Sequence, residues 1–356
     1  MIDAPEVERR LSAYLGVPLT RFGVLASGWE TAVFGFTLPS LCEKLRGISE
    51  GTPLVLRCYE GTEAVTKSRR EYRTMSALAE AGYPVPGPLS FEADPEALGV
   101  PFLIMERVAG GPLFSTRSFI SAFKNFSLGF TAFVAAQVRL HRMASNRLNF
   151  EGVQRAHLSP RSAKGVSLPE RILDVIADRI EEGPLPGLRE AHRALQEQAA
   201  QFKEAPDSIV HLDYHPQNVI VSGLRVKGVI DWVSADRGDR HLCAATTSII
   251  LATSAMDHPR WMRDNAIGNS LRAVFNALYV PLYHAMAPME LARFRYCQGV
   301  AALQRLSMFG MMVAQGPEAV GFRPEAIANV TPGVVRLLSR YTARKVGVSV
   351  SIPSPR

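Results

Sequence analysis

Cysteine is scarce. The 356 residues hold four, Cys42, Cys58, Cys243 and Cys297, and no two form a Cys-x-x-Cys pair. That spacing argues against a disulfide framework and a cysteine zinc site, and it favours a reducing, cytoplasmic setting. No apolar run reaches the ~20 residues a membrane-spanning helix needs. The longest, Leu242 to Met256, covers about 15 and reads as a buried core helix. The opening Met1-Ile2-Asp3-Ala4-Pro5-Glu6 is acidic and has no apolar run behind it, so it does not read as a signal peptide. The net charge is +7, from 40 basic and 33 acidic residues, yet there is no Lys/Arg block and no aromatic interleaving. A nucleic-acid partner is therefore not expected, and neither is a membrane partner. A Gly-x-x-x-x-Gly-Lys-Ser/Thr loop is also missing, which excludes a P-loop.

What remains is ordinary for a globular chain: 47% hydrophobic and 21% charged residues, over a length that allows two lobes with sizeable cores. Residues 3–15 read as a short amphipathic helix. Strand-like runs follow at Phe22–Ala26, Ala32–Leu38 and Pro53–Tyr59. Glu63 to Ala81 has helical spacing, with Tyr72, Met75, Leu78 and Ala79 on one face and Gly82 at the end. Leu89–Ala93 and Phe102–Val108 read as further strands. The remainder is mostly helical: Phe119–Ala144, Leu188–Phe202, and roughly 241–256, 260–280, 288–314 and 324–345. Residues 150–188 read as an insertion or mobile crossover, and Val346 to Arg356 as a frayed end. The division expected is an α+β protein with residues 1–107 as a small β-rich lobe carrying one long helix, and 108–356 as a larger helical lobe.

Chemistry concentrates in His211-Leu212-Asp213-Tyr214-His215-Pro216-Gln217-Asn218, followed by Val229-Ile230-Asp231-Trp232. The pattern places Asp213, Asn218 and Asp231 on two neighbouring turns between strands Ile209–His211, Val219–Val221 and Val226–Ile230. One carboxylate can orient a hydroxyl. The amide and the second carboxylate can hold Mg²⁺ on a nucleotide, since Mg²⁺ takes oxygen ligands and shares them with phosphates. His211 is expected to fix the loop by hydrogen bonding. Any one of these residues is common in a turn; the ordered set is not.

Phosphoryl transfer also needs a lid, a cation and a partner for it. The lid candidate is the segment Leu25 to Phe34, between two strands, with Ser27, Gly28 and Trp29 at the turn, where small residues let backbone N–H groups approach phosphates. Arg57 is a single charge in an apolar strand and needs a partner, which Glu71 can supply from the next helix. The hinge candidate, Ile104 to Val108, is a strand that offers backbone groups to an adenine edge, Glu106 and Val108 among them.

These residues resemble the aminoglycoside phosphotransferase and choline kinase family, small-molecule kinases with a protein-kinase-like, two-lobe fold. The likeness runs from about Phe22 to Ala245. It is most specific in the segment from His211 to Val221, in Val229-Ile230-Asp231-Trp232 and in Gly238-Asp239. Within the family it is most similar to the branch fused or related to acyl-CoA dehydrogenases. The resemblance implies ATP (sometimes GTP), Mg²⁺ and γ-phosphate transfer to a hydroxyl. By position it implies Asp213 as the catalytic aspartate, Asn218 and Asp231 as metal ligands, and Ser27, Gly28, Trp29, Arg57, Glu71, Glu106 and Val108 at the nucleotide. Two departures stand out. Arg57 occupies a place where the family often has lysine, and Cys243 one where it commonly has an aspartate; the second is expected to affect loop support more than chemistry.

The acceptor side is basic. From Val233 to Arg356 stand seven acids against thirteen Arg and one Lys, a poor wall for a polycationic aminoglycoside. Val233 replaces the glutamate of choline kinases, which argues against a quaternary amine. A neutral or anionic hydroxyl compound is expected: a sugar, a nucleoside-type natural product or a hydroxy acid. Arg237, Arg240, Arg295 and Arg305 are candidates to meet an anionic group, with surface solvation the commoner role. The rival expectation is a non-catalytic nucleotide-binding module of pseudokinase type. A protein kinase would need Asp-Phe-Gly and Ala-Pro-Glu signatures, and none follows Asp231.

Overall fold

Pro5 in the first turn and Gly16 in the left-handed conformation (φ 71°) bound helix α1 (Ala4–Leu15), whose Val7, Leu11 and Leu15 recur at four-residue intervals and are buried. The computed structural model describes residues 3–27, 31–45, 47–61, 63–113, 119–150, 166–202, 207–253 and 266–355. Strands β1 (Thr20–Ser27), β2 (Thr31–Thr37) and β3 (Leu54–Tyr59) follow, then helix α2 (Ala64–Glu80) and strands β4 (Pro88–Glu92) and β5 (Phe102–Glu106). The five strands form one antiparallel sheet in the order β1-β2-β3-β5-β4. Strand alternation gives the sheet two faces. Phe34, Phe36, Leu54, Leu56, Phe102 and Ile104 pack with Leu11 of α1 into a first core. Val33, Arg57 and Leu103 lie opposite one another across β2, β3 and β5, with Val55 and Met105 beside them, on the other face.

Helix α2 departs from expectation in its buried face. Met75 and Leu78 are buried and Tyr72 is half-buried, stacked on Phe91 with ring centroids 5.2 Å apart. Ala79, however, is exposed, and the face turns through Arg70, Glu71 and Thr74. Apolar spacing missed this because the helix buries charge, which costs free energy unless it is paired.

The rest of the chain runs β6 (Gly111–Pro112), α3 (Phe119–His141), α4 (Leu168–Glu182), α5 (Arg189–Ala199), β7 (Asp207–Val210), β8 (Val219–Ser222), β9 (Arg225–Val229), β10 (Asp236–Asp239), α6 (Arg240–Thr253), α7 (Ala266–Met286), α8 (Leu291–Gln315) and α9 (Pro332–Val346). Strands β6, β8 and β9 form one small sheet, and β7 pairs with β10. Part of the expected crossover at 150–188 is a packed helix, α4. A capping box between Ser167 and Glu170 starts it, and Leu168, Ile172, Leu173, Ile176 and Ile180 bury one side. The expected helix over 324–345 is broken. A 3-10 turn at Pro324–Asn329 precedes α9, which restarts at Pro332 with Thr331 as N-cap, its Oγ1 accepting from Val334 N–H. The end of the chain is not frayed throughout. Ser351 N–H donates to Gly187 O at 3.3 Å, and Val348, Val350 and Ile352 lie against the main core. A side chain at 187 would bring Cβ within 2.6 Å of the Ser351 carbonyl, so glycine is what admits the tail.

Helix α6, the long apolar run of the sequence, is almost wholly buried and packs on α8. Among the described residues no helix is long and apolar enough to cross a membrane. The four cysteines are free and buried.

His141, at the end of α3, has burial first and the charges of Arg240 and His241 second to push its imidazole down from 6.5 to about 3. The buried ring is therefore neutral, and protonation favours the unfolded chain. Stability is expected to be unaffected by this group above about pH 6.5 and to fall as pH drops from there toward 3, by about 1.4 kcal/mol per pH unit. Urea midpoints measured across that interval should fall less steeply for His141→Gln; parallel curves would remove His141 as the cause.

Candidate active site

Strand β7 delivers the chain to His211, which is fully buried. Its Nε2–H donates to Ile230 O at 3.0 Å, and its Nδ1 accepts Asp213 N–H at 3.3 Å. The ring thus clamps the loop to the segment before Asp231, as expected of it, and burial lowers its pKa so that it stays neutral. Leu212 takes a left-handed φ of 60°, a conformation unusual for a bulky residue. Asn218 closes the loop. Its N–H donates to His215 O at 2.9 Å, and its Nδ2 donates to Asp213 O at 2.9 Å and Asp213 Oδ2 at 3.2 Å. Ile230 N–H donates to Asn218 O at 2.9 Å, which ties the two turns together. Asp213 and Asn218 therefore touch, and Asp231 follows directly on the residue bonded to Asn218.

The Asp213 carboxyl feels opposing influences. Burial raises its pKa, but His215, whose Nε2 stands 3.6 Å from Oδ2, and then the Arg305 charge outweigh this and hold it well below the usual carboxylate range. It is an ionised acceptor with 39% of its side chain exposed. Asp231 is likewise open, at 36%, and holds a left-handed φ of 67°.

Behind them Arg57 joins three elements. Its Nη2 donates to Asp231 Oδ1 at 2.7 Å, and its Nη1 stands 3.3 Å from Glu71 Oε1. Glu71 is fully buried and accepts two further bonds, from Tyr59 OH at 2.6 Å and Trp232 N–H at 3.1 Å. Burial raises the Glu71 pKa, against the pull of Arg57, whereas the two carboxylates outweigh burial to raise that of Arg57. The pair expected from sequence is present, and it reaches Asp231 as well.

Tyr59 and the Trp232 N–H were not anticipated; a backbone donor and a tyrosine in an apolar strand carry no sequence signal of such a role. Nor was Arg70, whose Nε donates to Ala235 O at 3.0 Å and whose Nη2 bonds the same carbonyl and lies 3.3 Å from Asp236. Val33 and Val55 were missed too. They share the sheet face of Arg57, which looks toward Asp231, and so present apolar surface where a base could lie.

Ser27 ends β1, paired with Ala32; Gly28 and Trp29 lie outside the described residues. At the end of β5, Glu106 N–H donates to Gly87 O and Arg107 N–H to Pro53 O. The backbone of Val108 and the carbonyl of Glu106 are the groups this segment can turn to a base edge. Of the four arginines raised as acceptor contacts, Arg305 lies within electrostatic reach of Asp213. Arg237 and Arg295 are exposed, and Arg240 donates to Ala287 O and Pro288 O at the end of α7. At the second departure, burial raises the Cys243 thiol pKa, and the nearby backbone N–H groups of Leu212 and His211 offset part of that rise.

The donor set suits a hard cation. Asn218 spends its nitrogen on Asp213, which turns its amide oxygen the other way, and Arg57 takes only Oδ1 of Asp231. Among the described residues no group of three or more His, Cys, Asp and Glu could hold a metal by itself.

The model of the family described as "Phosphotransferase enzyme family" matches residues 26–288. Among solved structures, a thermostable mutant of aminoglycoside phosphotransferase APH(4)-Ia in ternary complex with ADP and hygromycin B is similar at 17% identity and TM-score 0.62, over 96% of this chain and 98% of that one. Macrolide 2'-phosphotransferase MphH from Brachybacterium faecium is similar at 15% identity and TM-score 0.53, over 87% and 95%. Aminoglycoside-3'-phosphotransferase of type VIII gives 19% identity and TM-score 0.52, over 84% and 99%. No curated protein matches the chain.

Proposed function

The chain belongs to the phosphotransferase enzyme family, and from that premise we propose that it moves the γ-phosphate of ATP to a hydroxyl of a neutral or anionic small molecule. The observation that supports the reading is a linked set: Asn218 bonds Asp213, Ile230 beside Asp231 bonds Asn218 O, and Asp231 bonds Arg57, which pairs with Glu71. Asp213 aligns the acceptor hydroxyl and takes its proton late, as the oxygen bonds to phosphorus. Its ionised state and Asn218's grip on Oδ2 fix the direction in which it accepts. Asn218 and Asp231 hold Mg²⁺, which when bound offsets phosphate charge. Arg57 adds a guanidinium fork to the phosphates, held in place by Glu71. Most of the rate gain comes from positioning and electrostatics. Ser27, Gly28 and Trp29 cover the phosphates. The Glu106 carbonyl and Val108 N–H read the base; ATP is favoured, with GTP the alternative. Residues 1–107 serve as the nucleotide-binding lobe and 108–356 as the catalytic and substrate-binding lobe. Four free cysteines fit a reducing, cytoplasmic setting.

The substrate class rests on charge: the basic balance after Val233, and Arg305 within electrostatic reach of Asp213. Hydroxyl compounds pooled by charge, incubated with ATP and Mg²⁺ and read by mass spectrometry, should give phosphorylated products in the neutral or anionic pools. Products confined to the polycationic pool would overturn the substrate class. No product in any pool would favour the non-catalytic module instead.

A further inference from the structure

Beneath the loop that carries Asp213 lies a group of side chains that no step of this reaction uses. They are Gln137 on α3, Cys243 and Thr247 on α6, and Tyr279 on α7, all fully buried. Their hydrogen bonds run in one direction. Tyr279 OH donates to Gln137 Oε1 at 2.6 Å. Gln137 Nε2 donates to Thr247 Oγ1 at 2.9 Å and faces Cys243 Sγ at 3.6 Å. With Oγ1 accepting from Gln137, the Thr247 hydroxyl turns its own proton to Tyr214 O, at 2.8 Å. Cys243 lies near the backbone N–H groups of Leu212 and His211, which pull its thiol pKa down against burial. Tyr214 adds a further tie, donating from OH to Phe133 O at 2.6 Å.

These contacts surround the strained point of the loop. Leu212 holds φ 60°, and such a residue persists there only when its surroundings over-determine it. Every side chain in the group is neutral. The thiol is a weak acceptor, so the firmest tie is the one from Thr247 to Tyr214.

We propose that Thr247, Gln137 and Cys243 are positioning residues for Asp213: they hold Leu212 in its left-handed turn and so fix where the carboxylate stands, without touching nucleotide or acceptor. The inference rests on Asp213 being the base of the proposed reaction.

The test uses the full chain and Thr247→Val, which keeps the shape and removes the donor. The kcat should fall about 100-fold, while KM for ATP and the Kd of AMP-PNP stay within about twofold, because a misplaced base costs rate rather than binding. Deuterium uptake across residues 208–218 should speed up. Adding Leu212→Gly should recover at least about tenfold in kcat, because glycine takes positive φ without strain. Thr247→Ser, which restores the donor, should match the wild type. Should Thr247→Val fail to fold, Cys243→Leu against Cys243→Ser makes the same comparison. Wild-type kcat together with unchanged uptake in the broken variants would overturn the inference, and so would a loss of kcat that Leu212→Gly does not relieve. A wild-type chain that phosphorylates no acceptor would overturn the proposed function instead, and the uptake measurement would still decide whether this group holds the loop.

Discussion

Asp213→Ala should lower kcat by about 10³-fold or more and leave AMP-PNP affinity within about twofold, since a positioned base contributes typically 10²–10⁴ and the nucleotide is held elsewhere. The geometry separates the two. Asp213 is bonded to Asn218 and faces His215, whereas the Arg57 cluster runs through Glu71 and Asp231. Losing the carboxylate removes the acceptor for the substrate proton but breaks no link between the sheet and the segment after β9. Asp213→Asn keeps an oxygen that can orient the hydroxyl and discards the base, so its kcat should fall between wild type and Asp213→Ala. Product formation by steady-state assay and analogue binding by calorimetry check both. Normal turnover in Asp213→Ala would remove Asp213 from the chemistry.

Glu71→Ala should destabilise the folded chain by about 3–5 kcal/mol, the usual cost of removing one member of a buried ion pair. Glu71 has no exposed surface, and three donors converge on it: Arg57, Tyr59 OH and Trp232 N–H. Alanine leaves a tyrosine hydroxyl and a backbone N–H buried without acceptors and Arg57 with Asp231 alone. Glu71→Gln retains an acceptor oxygen and nearly the same volume, so it should lose less. Urea unfolding monitored by tryptophan fluorescence measures both, and an unchanged midpoint for Glu71→Ala would show that these donors find other partners.

Much of the candidate site was legible because its residues sit at fixed intervals on short turns. Asp213, Asn218 and Asp231 are five and thirteen residues apart, and a loop between two paired strands brings those intervals together. Arg57 and Glu71 were legible for another reason: a charge in an apolar strand must find a partner. The residues that escaped act through groups that composition does not display. Trp232 contributes its backbone N–H, Tyr59 a hydroxyl hidden among apolar neighbours, and Arg70 its reach to a carbonyl 165 positions away. In the fold, strand alternation and helical spacing located β1 to β5 and the main helices. Strands β6 and β10 escaped because two to four residues rich in glycine, proline and aspartate show no alternation. Helix α4 escaped behind its charged residues, and the packed tail escaped because two distant glycines, Gly187 and Gly310, make the room for it.

The stretch from Asp231 to Asp236 is fastened to the upper sheet and its helix one residue after another: Asp231 to Arg57, Trp232 to Glu71, Ala235 and Asp236 to Arg70. A seam stitched this closely cannot part without exposing several buried charges at once. The connection at Gly110, where φ is 131° and a Cβ would collide with the Val221 carbonyl, adds a second tether, since Gly111 and Pro112 beside it pair with Val221 and Ile220. The sheet and the loop below it are therefore held along two lines rather than one.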